Sequence, residues 1–353
     1  MSKTDLGNFF DDFAVGQVIE HATPRTVTAG DQALYTAFYG SRFALQSADT
    51  VGRSFGLPAA PIDDLLVFHV VFGKTVADIS LNAVANLGYA DCVFGTPVYC
   101  GDTLAACSEI IGLKENSNGK TGTVYLRTRG TNQHGDPVLE YVRWVMVRKS
   151  TADAPAPPVA VPALPDCVPP ERLAVPDQIQ PPDLDHSRSG SPYLWEDYEP
   201  GERIDHVDGM TIEEAEHQMA TRLYQNTAKV HFNHHTEREG RFGKRIVYGG
   251  HVISLARALS FNGLGNAMKV LAINAGTHTA PAFAGDTIYA WSEVLARFAL
   301  LAHRDFGALR LRTVALKDRP AAAFTYKGED GAYDPSVVLD LDYTVLIARR
   351  KPA

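Results

Sequence analysis

The chain has 353 residues, 45% of them hydrophobic and 21% charged. That is apolar material for a real core and about two ordinary domains, which excludes a wholly disordered chain. A formal net charge of -8 excludes a general nucleic-acid or acidic-membrane binder, so an anionic ligand has to be met by a local basic patch.

Cys92, Cys100, Cys107 and Cys167 form no C-x-x-C pair, so neither a disulfide scaffold nor a zinc knuckle is expected, and a reduced compartment suits them. The start, MSKTDLGNFFDDF, has no basic segment followed by an apolar one. The longest strongly apolar stretch, Leu65 to Phe72, is far below the roughly 20 residues of a membrane span. A soluble cytoplasmic protein with no membrane partner is the expectation.

In chain order, FAVGQVIEH reads as an opening strand or turn. A helix follows behind Thr28-Ala-Gly-Asp31, a weak capping box, with Leu34, Ala37 and Phe38 at helical spacing. After an irregular loop, LLVFHVVFGKTV is apolar nearly all round and predicts a buried helix. GDTLAACSEIIGL and GTVYLRTRGTNQ flank an ENSNGK turn, and VLEYVRWVMVRK closes the unit. All three are rich in β-branched and aromatic residues and read as strands.

Eleven of the 21 prolines then fall between Pro155 and Pro192. Proline fixes φ and removes a backbone donor, so this stretch predicts an extended, semi-rigid linker. It divides the chain into domains at 1–150 and 193–353, joined by 151–192.

Beyond the linker the pattern repeats. EDYEPGERIDH (Glu196 to His206) matches DDFAVGQVIEH (Asp11 to His21) at an offset of 185 positions. PAFAGDTIYAWSEV matches PVYCGDTLAACSEI at 184, and Gly307 matches Gly122 at 185. Thr211-Ile-Glu-Glu214 is a capping box that predicts a helix start at Thr211, HVISLARALSF is the second buried helix, and GDTIYAWSEVLA, GALRLRTVAL and VVLDLDYTVLIARR are the strands. RPAAAFTYKGEDGAYDP reads as a loop between the last two. One long period marks a duplicated domain rather than a solenoid. An antiparallel sheet around one buried helix, made twice, is an α+β double hot-dog fold whose two sheets pair edge to edge. The duplicated Gly-Asp-Thr at 101–103 and 285–287 reads as a structural turn, and His21 and His206, at equivalent places, as sharing a role in the fold.

The copies differ where chemistry would reside. The loop after the first helix is YGSRFALQ (Tyr39 to Gln46) in copy one and YQNTAKVH (Tyr224 to His231) in copy two. Asn226 and His231, with four residues between them, and the turn Val247-Tyr248-Gly249-Gly250 resemble the MaoC-like enoyl-CoA hydratases. Their motif pairs Asp and His at that spacing and has a V-H-G turn at the buried helix. Copy one has Ser41 and Gln46 in place of the pair. The resemblance implies that His231 is the general acid/base for adding water to a conjugated thioester, since imidazole titrates near neutrality. Asn226 cannot take a proton and would orient His231 or water. Either His231 performs both transfers or a carboxylate joins it: Asp63, Asp64, Glu237 or Glu239. Backbone N–H groups of Gly249 and Gly250 would hold the enolate oxygen. His231, His234 and His235 lack the carboxylate or Cys that would complete a metal site, so no metal is expected.

Six basic residues, Arg222, Lys229, Arg238, Arg241, Lys244 and Arg245, face only Glu237 and Glu239 across 222–245. The alternatives are a solvated loop face or a patch for CoA phosphates or a substrate carboxylate. Arg42 could reach the neighbouring copy's site. HATPRTVTAGD, DHVDGMTIEEAEHQMATRLYQNTAKVHFN and EREGRFGKRIVYGGHVISLARALSFNGL are more specific still: nearly the whole chain resembles the mesaconyl-CoA hydratase family. That resemblance implies a thioester substrate with a second, free carboxylate, gripped by Arg245 or Arg42 with Arg241 nearby. It implies no cofactor beyond the CoA of the substrate, no nucleic-acid partner, and a homodimer.

Overall fold

The computed structural model describes residues 3–180 and 186–350. Copy one contributes β1 (Val18–Thr26), β2 (Ala83–Phe94), β3 (Thr103–Glu115), β4 (Thr121–Thr131) and β5 (Pro137–Arg148). Copy two contributes β6 (Arg203–Thr211), β7 (Lys269–Thr277), β8 (Thr287–Ala299), β9 (Phe306–Lys317) and β10 (Val337–Ala348). They join into one ten-stranded sheet in the order β1-β3-β4-β5-β2-β7-β10-β9-β8-β6, a palindrome of the two copies. The fold is the double hot dog that the repeat predicts.

The longer helices are α1 (Ala29–Tyr39), α2 (Asp64–Thr75), α3 (Glu214–Leu223) and α4 (Gly249–Leu259). Each residue of α2 is buried, as its all-round apolar sequence requires. Its polar side chains are satisfied across the copies: Asp64 by Lys269 Nζ at 2.5 Å, His69 by Ser254 Oγ at 2.8 Å, Lys74 by Gln225 Oε1 at 2.5 Å. Among the described residues no helix is long and apolar enough to cross a membrane.

The two copies meet on a pseudo-twofold axis. β2 and β7 pair antiparallel with Ala90 opposite Ala275, its own counterpart 185 positions on. The same offset recurs in two buried hydrogen bonds, Tyr39 Oη to Tyr224 Oη at 2.7 Å and His69 Nε2 to Ser254 Oγ at 2.8 Å. Tyr39 Oη also meets His251 Nδ1 at 2.9 Å, and Tyr35 Oη meets Ser254 Oγ at 2.9 Å. Contact between equivalent residues is what a twofold interface produces on its axis.

Other readings gain their physical reason here. His21 bonds Asp78 Oδ2 at 2.6 Å and Ser108 Oγ at 2.7 Å, and His206 bonds the Asn262 carbonyl at 2.7 Å and Ser292 Oγ at 2.8 Å, so both pin β1 or β6 to the neighbouring strand. Gly101 and Gly285 have φ of 102° and 95°, and Asp102 and Asp286 each accept a backbone N–H from three residues back. The proline-rich stretch is extended but docked rather than free. Ala160 bridges Leu113 of β3, Val168 N–H donates to Asn274 Oδ1 at 2.9 Å, and Gln180 N–H donates to the Phe55 carbonyl at 2.8 Å. Residues 181–185 of the expected linker lie outside the described residues.

One helix start differs from expectation. Thr211 ends β6, its hydroxyl engaged with Thr287 at 2.8 Å, and α3 begins at Glu214 without a side-chain cap. The weaker box in copy one is the one that forms: Thr28 Oγ1 accepts from Asp31 N–H, and Asp31 Oδ2 accepts from Thr28 N–H at 2.7 Å.

Burial holds the axis histidines neutral, with His69 and His251 lowered to about 3. Unfolded, each would protonate near 6.5, so their contribution is whole above that pH and is lost as pH falls toward the folded values. The expected outcome is a melting temperature that drops steeply from pH 6.5 to 4. The slope should flatten in His69→Gln, which keeps a partner for Ser254; circular dichroism melts across that range would check both.

Candidate active site

The site grows from the loop after α3. His231 is half-buried at the end of a single 3-10 turn, Lys229–His231. Its Nδ1 lies 2.8 Å from the Ile246 carbonyl, which can only accept, so Nδ1 carries the proton and Nε2 keeps a bare lone pair. Among the described residues Nε2 has no hydrogen-bond partner, and it is not sealed from solvent. Burial lowers the His231 pKa to about 4. The ring meets Tyr248 edge-on at 5.7 Å between centroids.

Asn226 is buried, but its Oδ1 accepts from Ala228 N–H at 3.0 Å and so shapes the turn. Among the described residues no hydrogen bond joins it to His231. The expectation that Asn226 orients His231 is therefore corrected: the Ile246 carbonyl does so. Copy one supports this loop closely, since a Cβ on Gly73 of α2 would lie 1.8 Å from the Tyr224 carbonyl oxygen.

Tyr248 is the N-cap of α4 and offers no side-chain cap. His251 N–H turns back to the Tyr248 carbonyl at 2.9 Å, while among the described residues the N–H groups of Gly249 and Gly250 have no acceptor. Two free N–H groups at a helix start suit a negative charge, and Tyr248 beside them meets the His231 ring. Both glycines are required by crowding: a Cβ on Gly249 would meet the His278 ring at 2.5 Å, and one on Gly250 would meet Tyr248 at 2.4 Å and His69 at 2.6 Å. The equivalent start in copy one is filled by its own carboxylate, because Asp63 Oδ1 accepts from Leu65 N–H at 2.9 Å. Gln46, the counterpart of His231, donates to the Met268 carbonyl at 2.6 Å. Copy one is thus closed as a site.

The carboxylates weighed as second groups lie elsewhere. Asp64 pairs with Lys269; Asp63 caps α2, its pKa raised to about 6 by burial and then by Asp64. Glu237 and Glu239 belong to an exposed surface turn, where Glu239 meets Arg238 at 3.7 Å. The arginines expected to grip a carboxylate are also committed. Arg245 pairs with Glu214 and donates to the Phe232 carbonyl at 3.4 Å. Arg241 lies exposed over Phe242. Arg42 lies over Phe261 at 4.5 Å, and Phe261 is twelve residues past Gly249, about 18 Å along a helix at 1.5 Å per residue. Arg42 therefore serves the far end of α4, not the His231 cleft.

Two groups absent from the sequence reading border the cleft instead, and a third lies behind them. His278 follows β7 and packs on Gly249; burial lowers its pKa to about 4. Tyr89 of β2, from copy one, lies 3.5 Å from His278 Nε2. Arg143 of β5, fully buried, is opposite Tyr89 in register. The strand signal could have found Arg143, since alternation in LEYVRWVMV places it inward with Leu139, Tyr141 and Val145.

Comparison with known proteins agrees with this geometry. The sequence matches the family described as mesaconyl-CoA hydratase over residues 2–332. It is 64% identical to a beta-methylmalyl-CoA dehydratase of Chloroflexus aurantiacus, over 99% of each chain. It is 57% identical to a mesaconyl-CoA hydratase of Cereibacter sphaeroides, over 98% of this chain and 100% of the other. The crystal structure of a MaoC domain protein dehydratase from Chloroflexus aurantiacus superposes with a TM-score of 0.97 at 63% identity, covering 99% of this chain and 100% of that one. A Mycobacterium tuberculosis protein described as a double hotdog fold gives 0.71 at 27% identity, covering 96% and 98%. With a family match across most of its length and full-length relatives above half identity, the chain belongs to the mesaconyl-CoA hydratase family.

Proposed function

We propose that the chain catalyses the reversible hydration of mesaconyl-CoA to β-methylmalyl-CoA. The relatives carrying those activities in their names support the substrate. The observation that carries the chemistry is the bare Nε2 of His231 beside the uncapped start of α4. One supplies a base, the other two oriented donors for developing negative charge.

In this reading Nε2 takes a proton from water as its oxygen bonds to the carbon that bears the free carboxylate. The electron pair of the C=C moves onto the thioester oxygen, held by Gly249 and Gly250 N–H. The enolate then collapses and takes a proton at the α-carbon. With no carboxylate beside it among the described residues, His231 itself returns that proton, so oxygen and hydrogen arrive on one face. The imidazolium is short-lived, stabilised by the enolate charge in a site that otherwise disfavours it. Asn226, tied to Ala228 through Oδ1, keeps its amide NH₂ as a donor for the water. His278, neutral and against Gly249, flanks the thioester end. Water addition is redox-neutral and calls on no cofactor beyond the CoA of the substrate.

A spectrophotometric assay should show mesaconyl-CoA losing its enoyl absorbance without release of free thiol; thiol release would mean a thioesterase, and preference for crotonyl-CoA would mean a straight-chain hydratase. His231→Ala should lower kcat by about 10²–10⁴. Because the base form of His231 prevails above about pH 4, kcat/KM should stay level from pH 8 to 5 and fall only below that. An acid limb near 6.5, the value of a free imidazole, would contradict the buried tautomer assigned here. Gly73→Ala, in copy one, should push the Tyr224–Asn226 backbone and lower kcat by about tenfold or more, since misplacement of about 1 Å is costly. Steady-state kinetics of that variant measure how far copy two depends on copy one.

A further inference from the structure

Arg143 is a fully buried cation without an acidic partner. Nη2 donates to Thr75 Oγ1 at 2.8 Å and Ser80 Oγ at 2.9 Å, and Nη1 lies 3.4 Å from Asn86 Oδ1. The guanidinium covers the Phe72 ring at 4.4 Å. Among the described residues no carboxylate stands within ion-pair distance; Asp78, on the same segment as Ser80, is taken by His21. Among the described residues three polar atoms in this cluster are buried without partners: Arg143 Nε and Asn86 Nδ2, both donors, and the hydroxyl of Tyr141, which can donate or accept. A guanidinium stays protonated at neutral pH, so a positive charge and two free donors are sealed together in the core of copy one.

The cluster lies behind the catalytic cleft, separated from it by one layer of aromatic rings. Phe72, under the guanidinium, meets Tyr248 at 5.6 Å, and Tyr248 meets His231 at 5.7 Å. On the other flank Tyr89, opposite Arg143 across β2 and β5, meets His278 at 5.9 Å. The proposed substrate has two anionic ends, the CoA and a free carboxylate four carbons apart from the thioester sulfur. With the thioester carbonyl at Gly249 and Gly250, a carboxylate that reaches Arg143 has to pass between rings contributed by both copies, Phe72 and Tyr89 from one and Tyr248 from the other.

We propose that Arg143 binds the free carboxylate of the substrate and selects a dicarboxylic acyl-CoA over a monocarboxylic one. This rests on the hydration reading above. Pairing would also withdraw negative charge from the carbon next to it, which is the carbon that water attacks, so the same contact favours both binding and addition. Arg245 pairs with Glu214, Arg42 lies over Phe261 and Arg241 faces solvent, whereas Arg143 has no acidic partner among the described residues and is opposite Tyr89, which meets His278.

The test compares Arg143→Met and Arg143→Lys with the wild type on mesaconyl-CoA and crotonyl-CoA. Arg143→Met should lose about 30-fold or more in kcat/KM for mesaconyl-CoA, the range for truncating one partner of a buried charge pair, and keep crotonyl-CoA turnover within about threefold. Arg143→Lys, which keeps charge but not the fork, should fall between. Equal loss on both substrates, or no loss on either, overturns the proposal. A binding readout separates it from the hydration reading: succinyl-CoA and butyryl-CoA, which are saturated and cannot be hydrated, are compared by thermal shift. Succinyl-CoA should protect the wild type more than butyryl-CoA does, and Arg143→Met should erase the difference. If the wild type never hydrates mesaconyl-CoA yet that difference depends on Arg143, the reaction falls and the carboxylate site stands. If the wild type shows no difference, the site falls.

Discussion

The pairing of β2 with β7 is the constraint on which the rest of the molecule depends. Each strand would otherwise be an open edge, with unpaired N–H and C=O groups. Closing the two edges on each other around Ala90 and Ala275 fixes one axis, and that axis brings α2 of copy one against the loop and helix of copy two. Side chains on such an axis face their own counterparts. Two histidines there would bring like groups together; the pair that stands is His69 with Ser254, in which a ring nitrogen and a hydroxyl satisfy each other. Tyr39 and Tyr224 manage the same problem because a phenol both donates and accepts.

Once the axis is set, the copies can diverge only where the axis permits. At the start of the buried helix, copy one has Asp63 and Asp64, and copy two has Tyr248, Gly249 and Gly250. A carboxylate at a helix start satisfies the free N–H groups and stabilises the helix, and by doing so removes the anion site. Glycines leave those N–H groups open at some cost to the helix, which in the proposed reaction gives a place for charge that appears only in passing. The copy whose helix is capped has become scaffold. It still supplies Tyr89, His69, Phe72 and Gly73 to the surroundings of the active copy.

Much of this was legible in the sequence because repetition, alternation and all-round apolarity are strong signals. The offset of 185 named the duplication, and the buried helix and long strands followed from their patterns. β2 and β7 carry no such pattern: ANLGYADCVF and KVLAINAGT hold small residues, and both strands are packed by neighbours on each edge. Thr211 misled because a capping box is a local preference, and pairing of β6 with β8 extends through that threonine. His231 and the glycine pair are legible from motif spacing, whereas the arginines that the sequence offers for a carboxylate, Arg245, Arg241 and Arg42, all lie in loops. Loop arginines have solvent and neighbouring carboxylates to choose from, as Arg245 shows with Glu214. Arg143 is placed instead by the strand parity of the other copy, which turns it inward with Leu139, Tyr141 and Val145.

That parity also explains why an unpaired charge can persist in a core. Burying a cation without a counterion costs several kcal/mol, and small domains rarely carry that without return. Thr75, Ser80, Asn86 and the face of Phe72 spread the charge of Arg143 but do not neutralise it. The free donors of this cluster are complementary to an anion, and the ring layer in front of them decides what can reach them. On the proposed carboxylate contact, a domain whose own helix start is capped has a reason to retain its interior: Arg143 would supply the charge that the free carboxylate of the substrate meets.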